Sequence, residues 1–215
     1  MPADRAEVPA RFQDGGLTLW HLADEFLVRC PRCGRMARVL RLGEPGKREV
    51  RAHCTACAFA LHAPMDRAPW FGPVRTQARG RCGRCGTRLE RAGVHPEGSP
   101  PPRVARVRCP TCGRTNHFAV TWTKVPRCAE PHDGLVGLPL WLQTPVRGET
   151  LWAFNRRHLD ALEAYVGATL RERRPVFNGS FASRLPRFVT RAEHRDAVLH
   201  AIARLRATLP AERGA

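Results

Sequence analysis

The chain has 215 residues, enough for one medium domain or two to three small ones. It carries 36 lysines and arginines against 19 aspartates and glutamates, a formal net charge of +17 that favours polyanionic partners. No apolar run reaches the roughly 20 residues of a membrane span, and the N-terminus lacks the apolar segment of a secretory signal. We therefore expect a cytoplasmic protein without membrane contact.

The positive charge is concentrated on one stretch of the chain. Residues 29–128 hold 21 basic and 5 acidic side chains, net +16, whereas residues 1–28 hold 2 and 5 and residues 129–215 hold 13 and 9. The basic stretch is also the one that contains all nine cysteines, so charge and cysteine chemistry are expected to act together.

Eight of the nine cysteines form four Cys-x-x-Cys pairs. Two cysteines separated by two residues in a tight turn, or knuckle, point both sulfurs at one centre, and two knuckles complete a tetrahedral thiolate site of the kind zinc prefers. In a reducing compartment metal ligation is favoured over a disulfide framework. The turn often needs a left-handed residue after its second cysteine, which glycine supplies in three knuckles and Ala58 replaces in the fourth. The predicted ligands of two structural zinc ions are Cys30, Cys33, Cys54, Cys57, Cys82, Cys85, Cys109 and Cys112.

We expect the knuckles to pair in sequence, so that the first two hold one ion and the last two hold the other. Crossed pairing and nested pairing are the alternatives, and iron in place of zinc is a further one, because a thiolate tetrahedron accepts either ion. Each gap between paired knuckles predicts a β-hairpin, residues 36–42 with 48–53 in the first and residues 87–92 with 103–108 in the second.

The strings Cys30-Pro31-Arg32-Cys33-Gly34 and Cys109-Pro110-Thr111-Cys112-Gly113, with their partner knuckles, resemble the zinc-ribbon class over about residues 26–122. The resemblance implies a small metal-bound β fold. Zinc ribbons occur both in proteins that bind nucleic acid and in modules that dock on other proteins. The segment after Trp122 resembles the tail of uncharacterised bacterial zinc-ribbon proteins, a likeness that brings no known function.

The C-terminal third predicts two helices, residues 155–173 and residues 190–209, the second with a capping box from Thr190 and Glu193. Their apolar stripes are expected to pack on each other, or to leave one face for docking on a partner. The fold class is therefore α+β, two zinc ribbons followed by an α-helical segment. The predicted organisation is an N-terminal segment (1–25), a first zinc ribbon (26–63), a linker (64–73), a second zinc ribbon (74–125), a connecting apolar segment (126–152) and a C-terminal helical module (153–215).

Catalysis is not expected from these motifs. Four thiolates fill the tetrahedral coordination of the metal ion and leave no position for a reactive water. A deaminase would need a proline directly before its Cys-x-x-Cys, and Arg108 stands there after the His95-x-Glu97 string. Cys128 and His132 resemble half of a third site without a second half nearby, so an ordinary thiol is favoured for Cys128. The sequence predicts a protein that is not an enzyme and has no small-molecule substrate.

Two functions fit this pattern. The first is binding of DNA or RNA by the arginine-rich ribbons, with Trp70, Phe118 and Trp122 available to stack on bases. The second is an adaptor or subunit of a larger protein complex, docking through a ribbon or the helical tail, as the apolar, tryptophan-bearing residues 135–152 suggest. The arginines predicted to contact nucleic acid are Arg29, Arg32, Arg35, Arg38, Arg84, Arg108 and Arg114.

Overall fold

The computed structural model describes residues 11–44, 47–96, 98–125, 130–172 and 179–210. Within these ranges the chain forms thirteen short strands, four α-helices and three short 3-10 helices. None of the described helices is both long enough and apolar enough to cross a lipid bilayer. Cys128, about which the sequence left a choice between a metal ligand and an ordinary thiol, lies outside the described residues.

The first ribbon is a single four-stranded antiparallel sheet. Its strands, in spatial order, are β2 (Glu25–Arg29), β3 (Met36–Leu42), β4 (Glu49–Cys54) and β5 (Ala60–Pro64). The predicted pairing of residues 36–42 with 48–53 is confirmed, because β3 pairs with β4 over six residue pairs. Alternation along these two strands buries Val39, Val50 and Ala52 on one face. Gly43 turns the chain after β3 with φ +82°, and a Cβ there would collide with the carbonyl of Lys47.

The second ribbon has two separate sheets. The larger, in spatial order, contains β10 (Thr121–Lys124), β6 (Val74–Arg81) and β7 (Arg88–His95), and the smaller contains β8 (Val104–Arg108) and β9 (Thr115–Ala119). The predicted hairpin of residues 87–92 with 103–108 is wrong. Strands do form at both places, but β7 pairs with β6 and β8 pairs with β9.

The reason is that each Cys-x-x-Cys knuckle is itself the turn of a hairpin. The knuckles join β2 to β3, β4 to β5, β6 to β7 and β8 to β9. In the first ribbon the two knuckle hairpins merge through the β3–β4 pairing. In the second ribbon they remain separate sheets, held together around the cysteines.

The remainder of the chain forms what we call the helical body, the described residues from 142 onwards. It contains β11 (Leu142–Val146), β12 (Glu149–Ala153), α2 (Arg156–Gly167), β13 (Leu170–Glu172), α3 (Arg187–Thr190) and α4 (Arg195–Ala207). β11 and β12 form a hairpin whose turn, Arg147-Gly148, has positive φ at both residues. β13 pairs in parallel with β1 (Arg11–Gln13), and a four-residue helix, α1 (Leu19–Leu22), precedes β2.

Both predicted helices exist, with different ends. α2 begins after the cap Asn155, whose Oδ1 accepts from the N–H of His158 (2.9 Å), but it ends at Gly167, so Leu170 lies in β13 instead of on the helix. The capping box at Thr190 is wrong. Thr190 is the last residue of α3, and the extended backbone of Arg191 (ψ 131°) separates α3 from the turn that leads into α4.

Buried apolar side chains fall into three clusters of very different size. The largest joins α2 and α4 to the β11–β12 hairpin and to Leu22 and Leu27 from the N-terminal part of the chain. The predicted packing of the two helices on each other is therefore confirmed, with further partners. The second cluster lies between the first ribbon and residues 135–140. The third, at the second ribbon, has three buried members, Cys82, Leu89 and Cys109.

Candidate metal centres

All four knuckles close in the same way at their first cysteine. The N–H of that cysteine donates to the carbonyl oxygen five residues on, at 2.8 Å for Cys30, Cys82 and Cys109 and at 3.0 Å for Cys54. In three knuckles the glycine after the second cysteine also donates to the first cysteine's carbonyl, with φ between +69° and +75°. Ala58 does not adopt this conformation, since Arg147 is the one described non-glycine residue with positive φ. The Cys54–Cys57 knuckle, which has Ala58 at this position, thus uses a different turn.

The knuckles pair in sequence, and each pair brings four sulfurs to one centre. Within each tetrad all four Sγ atoms lie within 4.8 Å of one another. In the first centre the Cys30–Cys57 and Cys33–Cys54 sulfurs are 3.6 and 3.7 Å apart. A tetrahedron with metal–sulfur bonds of about 2.3 Å has an edge of about 3.8 Å, so this spacing fits a bound ion.

The second centre has the same geometry and an additional support. Its Cys82–Cys112 and Cys85–Cys109 sulfurs are each 3.5 Å apart. The buried amide of Asn116 donates from Nδ2 towards Cys82 Sγ (3.7 Å) and accepts at Oδ1 from the N–H of Gly83 (3.1 Å). Asn116 therefore links the Cys82–Cys85 knuckle to β9, the strand that follows the Cys109–Cys112 knuckle. Sequence reasoning missed it, because nothing local marks an asparagine four residues after the last cysteine of a knuckle as a partner of a distant cysteine.

The electrostatics of both tetrads favour a bound cation. Burial disfavours the Cys54 thiolate, but the N–H of Ala56 and the neighbouring sulfurs outweigh it and lower the pKa of Cys54 to about 7. The N–H of Phe59 favours the Cys57 thiolate, yet burial and the other three sulfurs raise the pKa of Cys57 to about 12. One thiol ionises readily while another resists, because like charges crowd together. A divalent cation removes this conflict and allows four thiolates to coexist.

The second tetrad shows the same division. The N–H groups of Arg84 and Cys85 lower the pKa of Cys82 to about 6. The N–H of Arg114 favours the Cys112 thiolate, but burial and the neighbouring sulfurs raise the pKa of Cys112 to about 11. Each centre also has two buried sulfurs, one half-buried and one exposed, so both lie at the protein surface.

All seven arginines predicted to contact nucleic acid are exposed. Those of the first ribbon largely have protein partners. The Arg29 guanidinium lies 5.5 Å from the Trp141 ring centroid, Arg32 Nη1 donates to the Ala58 carbonyl (3.3 Å), and Arg38 Nη1 lies 3.2 Å from a Glu25 carboxylate oxygen. In the second ribbon, by contrast, no ion pair among the described residues joins a basic side chain to a carboxylate.

The structure adds a basic face that sequence reasoning missed. Arg75, Arg79 and Arg81 share one face of β6 because their positions in the strand differ by even numbers. Arg81 lies directly opposite Arg88 of β7, a like-charge pair on an exposed surface. The spacing Arg75-x-x-x-Arg79-x-Arg81 defines a common face only if the segment is a strand, and no strand was predicted there.

The three aromatic residues proposed for stacking lie in different environments. Trp70 packs against Gly72 and Gly137, where a Cβ on either glycine would collide with its ring. Phe118 lies over Gly80 in the same manner, inside the small core of the second ribbon. Trp122 is 42% exposed on β10.

These features define a chain with two four-cysteine groups, each able to hold a metal ion, in an arrangement consistent with tandem zinc-ribbon-like sites. Among the described residues the two tetrads are the groups that could hold a metal ion. A scan against protein-family models, a search of curated proteins and a search of solved structures each returned no match for this chain.

Proposed function

We propose that the chain is a non-catalytic protein that holds two structural zinc ions and binds nucleic acid, mainly through its second ribbon. Zinc is the ion that best suits four thiolates at tetrahedral spacing. Four protein ligands complete that coordination. The ion therefore stabilises the fold and has no open coordination position for a reacting water or substrate.

The observation that carries the nucleic-acid proposal is the unbalanced charge of the second ribbon. Residues 74–125 hold 11 basic and 2 acidic side chains, and one of those acids, Glu90, accepts a hydrogen bond from Gln77 (2.6 Å). Four thiolates and one divalent ion would remove two positive charges, which leaves the ribbon strongly basic. Guanidinium groups that share one face and have no carboxylate partner among the described residues suit a row of phosphates, which they contact bidentately.

The opposed pair Arg81 and Arg88 also supports binding of a polyanion. Like charges directly across an antiparallel pair destabilise the sheet. Arg84, in the knuckle between these strands, adds a third exposed guanidinium. A bound phosphate would relieve the repulsion within this group, which a solvent-facing surface without a ligand would retain.

The test is binding of labelled oligonucleotides across a salt series. The double variant Arg81→Gln and Arg88→Gln should weaken binding and reduce the slope of log affinity against log salt by about 1.4 to 1.8, the contribution of two phosphate contacts. The matched control removes two exposed arginines of the helical body, Arg187→Gln and Arg204→Gln, and should change neither quantity. Zinc content should stay at two in every variant.

Absence of binding to single-stranded and duplex DNA and RNA at low salt would overturn the nucleic-acid proposal. The basic face would then serve an acidic protein surface, and the adaptor function would take its place. A single metal per chain, or an iron-coloured protein, would overturn the proposal of two zinc ions.

A further inference from the structure

A groove runs along the second ribbon where its two sheets face each other. It has a volume of about 470 Å³ and lies between β7 and β8, each an edge strand of its own sheet. Small side chains such as Ala78, Ala92 and Ala105 are among the residues that line it, and no carboxylate is found among its described lining residues. A Cβ added at Gly93 would meet nothing within 4 Å, so the space above that residue is open.

Two arginines line this groove at one end, Arg91 and Arg106, and the imidazole of His95 lines it at the other. Arg91 Nη1 donates to the carbonyl oxygen of Arg106 (3.1 Å), a hydrogen bond that joins the two strands and fixes their separation. The four residue steps from Arg91 to His95 span about 13 Å of strand. A stacked nucleic-acid strand advances about 3.4 Å per nucleotide, so this length accommodates at most about four nucleotides.

Trp122 stands on the same face of the sheet. It is directly opposite Thr76 of β6, and Thr76 is directly opposite Gly93 of β7. Residues directly opposite in an antiparallel sheet present their side chains on one face, so the Trp122 indole belongs to the groove face, two strands and roughly 10 Å away from Gly93.

Trp122 also differs from the other four tryptophans of the chain. Among the described residues no aromatic or cationic side chain covers its ring. The rings of the others are occupied, Trp20 by Arg41 and Arg48, Trp70 by Lys124, Trp141 by Arg29 and Trp152 by Phe154 and His158. An exposed indole beside a basic groove is the arrangement that binds unpaired bases, since every base offers a flat face for stacking.

We infer that this groove binds a short single-stranded stretch of DNA or RNA, with a base stacked on Trp122 and phosphates near Arg91 and Arg106. The inference rests on the proposed nucleic-acid function and specifies its substrate, on the face of β6 and β7 opposite to Arg81 and Arg88. A duplex keeps its bases stacked on each other, so they are not available to an indole on the protein surface. Single strands therefore gain a contact that duplexes do not.

The experiment compares a 12-nucleotide oligothymidylate, a 12-nucleotide oligouridylate and a 12-base-pair duplex by fluorescence anisotropy. Trp122→Ala should weaken binding of the single strands about 5- to 150-fold, the loss expected for one stacked base, and leave duplex binding nearly unchanged. Trp122→Phe should retain most of the single-strand affinity, because it keeps an aromatic face. The matched control Trp20→Phe should bind as the wild type does, and all variants should carry two zinc ions.

Other outcomes separate this inference from the function on which it rests. Equal affinity for duplex and single strands, or unchanged single-strand binding by Trp122→Ala, would overturn the inference that the groove binds single strands. The proposed nucleic-acid function would still stand. Binding of neither duplex nor single strands would overturn both.

Discussion

Removal of metal should affect the two ribbons very differently. The cluster that surrounds the first centre contains eight buried side chains larger than alanine, apart from its cysteines. The cluster at the second centre contains one, Leu89, with Val107 and Phe118 half-buried beside it. A chelator removes the same four-thiolate interaction from both ribbons, so the difference between them must come from these apolar contacts.

The magnitudes can be compared directly. Burial of a large apolar side chain contributes about 1.5–3 kcal/mol, which gives roughly 12–24 kcal/mol for the first ribbon. The second ribbon gains about 4.5–9 kcal/mol from Leu89 and the buried Val74, with its two half-buried side chains counted at half weight. A structural zinc site contributes about 10–16 kcal/mol. Metal therefore exceeds the apolar contribution in the second ribbon, whereas in the first ribbon the two ranges overlap and the apolar range extends higher.

We expect chelation to unfold residues 74–125 while the first ribbon keeps its sheet. Hydrogen exchange followed by mass spectrometry measures this, with peptides from β6 to β9 losing protection and peptides from β3, β4, α2 and α4 keeping it. Cys112→Ser should reproduce the loss in the second ribbon. Cys57→Ser, a substitution of the equivalent half-buried ligand in the first centre, is the matched control and should leave β3 and β4 protected. Simultaneous loss of protection in both ribbons would refute this reasoning.

Three further changes test particular contacts. Asn116→Ala should lower metal affinity of the second centre about 10- to 100-fold, because it removes the amide that orients Cys82, and an equal loss at the first centre would contradict this. Arg88→Glu should stabilise the second ribbon by about 0.5–1 kcal/mol in thermal unfolding, since it places opposite charges across from Arg81, with Arg88→Gln gaining about half as much. Burial lowers the pKa of His158 to about 4, below its ordinary 6.5, so the helical body should lose about 3 kcal/mol of stability as pH falls from 6.5 to 4. The neutral variant His158→Gln should not show this acid dependence, and an unchanged pH profile would refute the assignment.

The metal ligands were predictable because their signal is local. A Cys-x-x-Cys knuckle fixes both sulfurs within four residues, and its turn glycines, Gly34, Gly86 and Gly113, adopt the left-handed conformation that the sequence indicated. The first hairpin was predictable for the same reason, since Gly43 marks its turn and alternation marks its strands.

Features that depend on distant contacts were not predictable. β6 pairs with β10 across more than 40 residues, and nothing in residues 74–81 distinguishes an arginine-bearing strand from a loop. Asn155 donates from Nδ2 to the carbonyl oxygens of Leu22 and Glu25, which joins the N-terminal part of the chain to the helical body over about 130 residues. The apolar stripe continued to Leu170, but the helix ends at Gly167 and Leu170 pairs with β1.

The small core and the large charge of the second ribbon have a common basis, and it yields a final prediction. Because four cysteines stand at its centre in place of an apolar core, most strand positions carry an exposed side chain, and many of these are arginine. Nucleic acid should then bind only the metal-loaded ribbon, and by linkage it should in turn retain the metal. At an oligonucleotide concentration 100 times its Kd the stabilisation is about 2.7 kcal/mol, so removal of the second ion should require roughly 100-fold more chelator. The first ion, held in a ribbon whose fold depends less on metal, should be released at the same chelator concentration with and without oligonucleotide. Metal release followed with a colorimetric chelator distinguishes the two ions, and equal protection of both would show that the nucleic acid does not bind the second ribbon in particular.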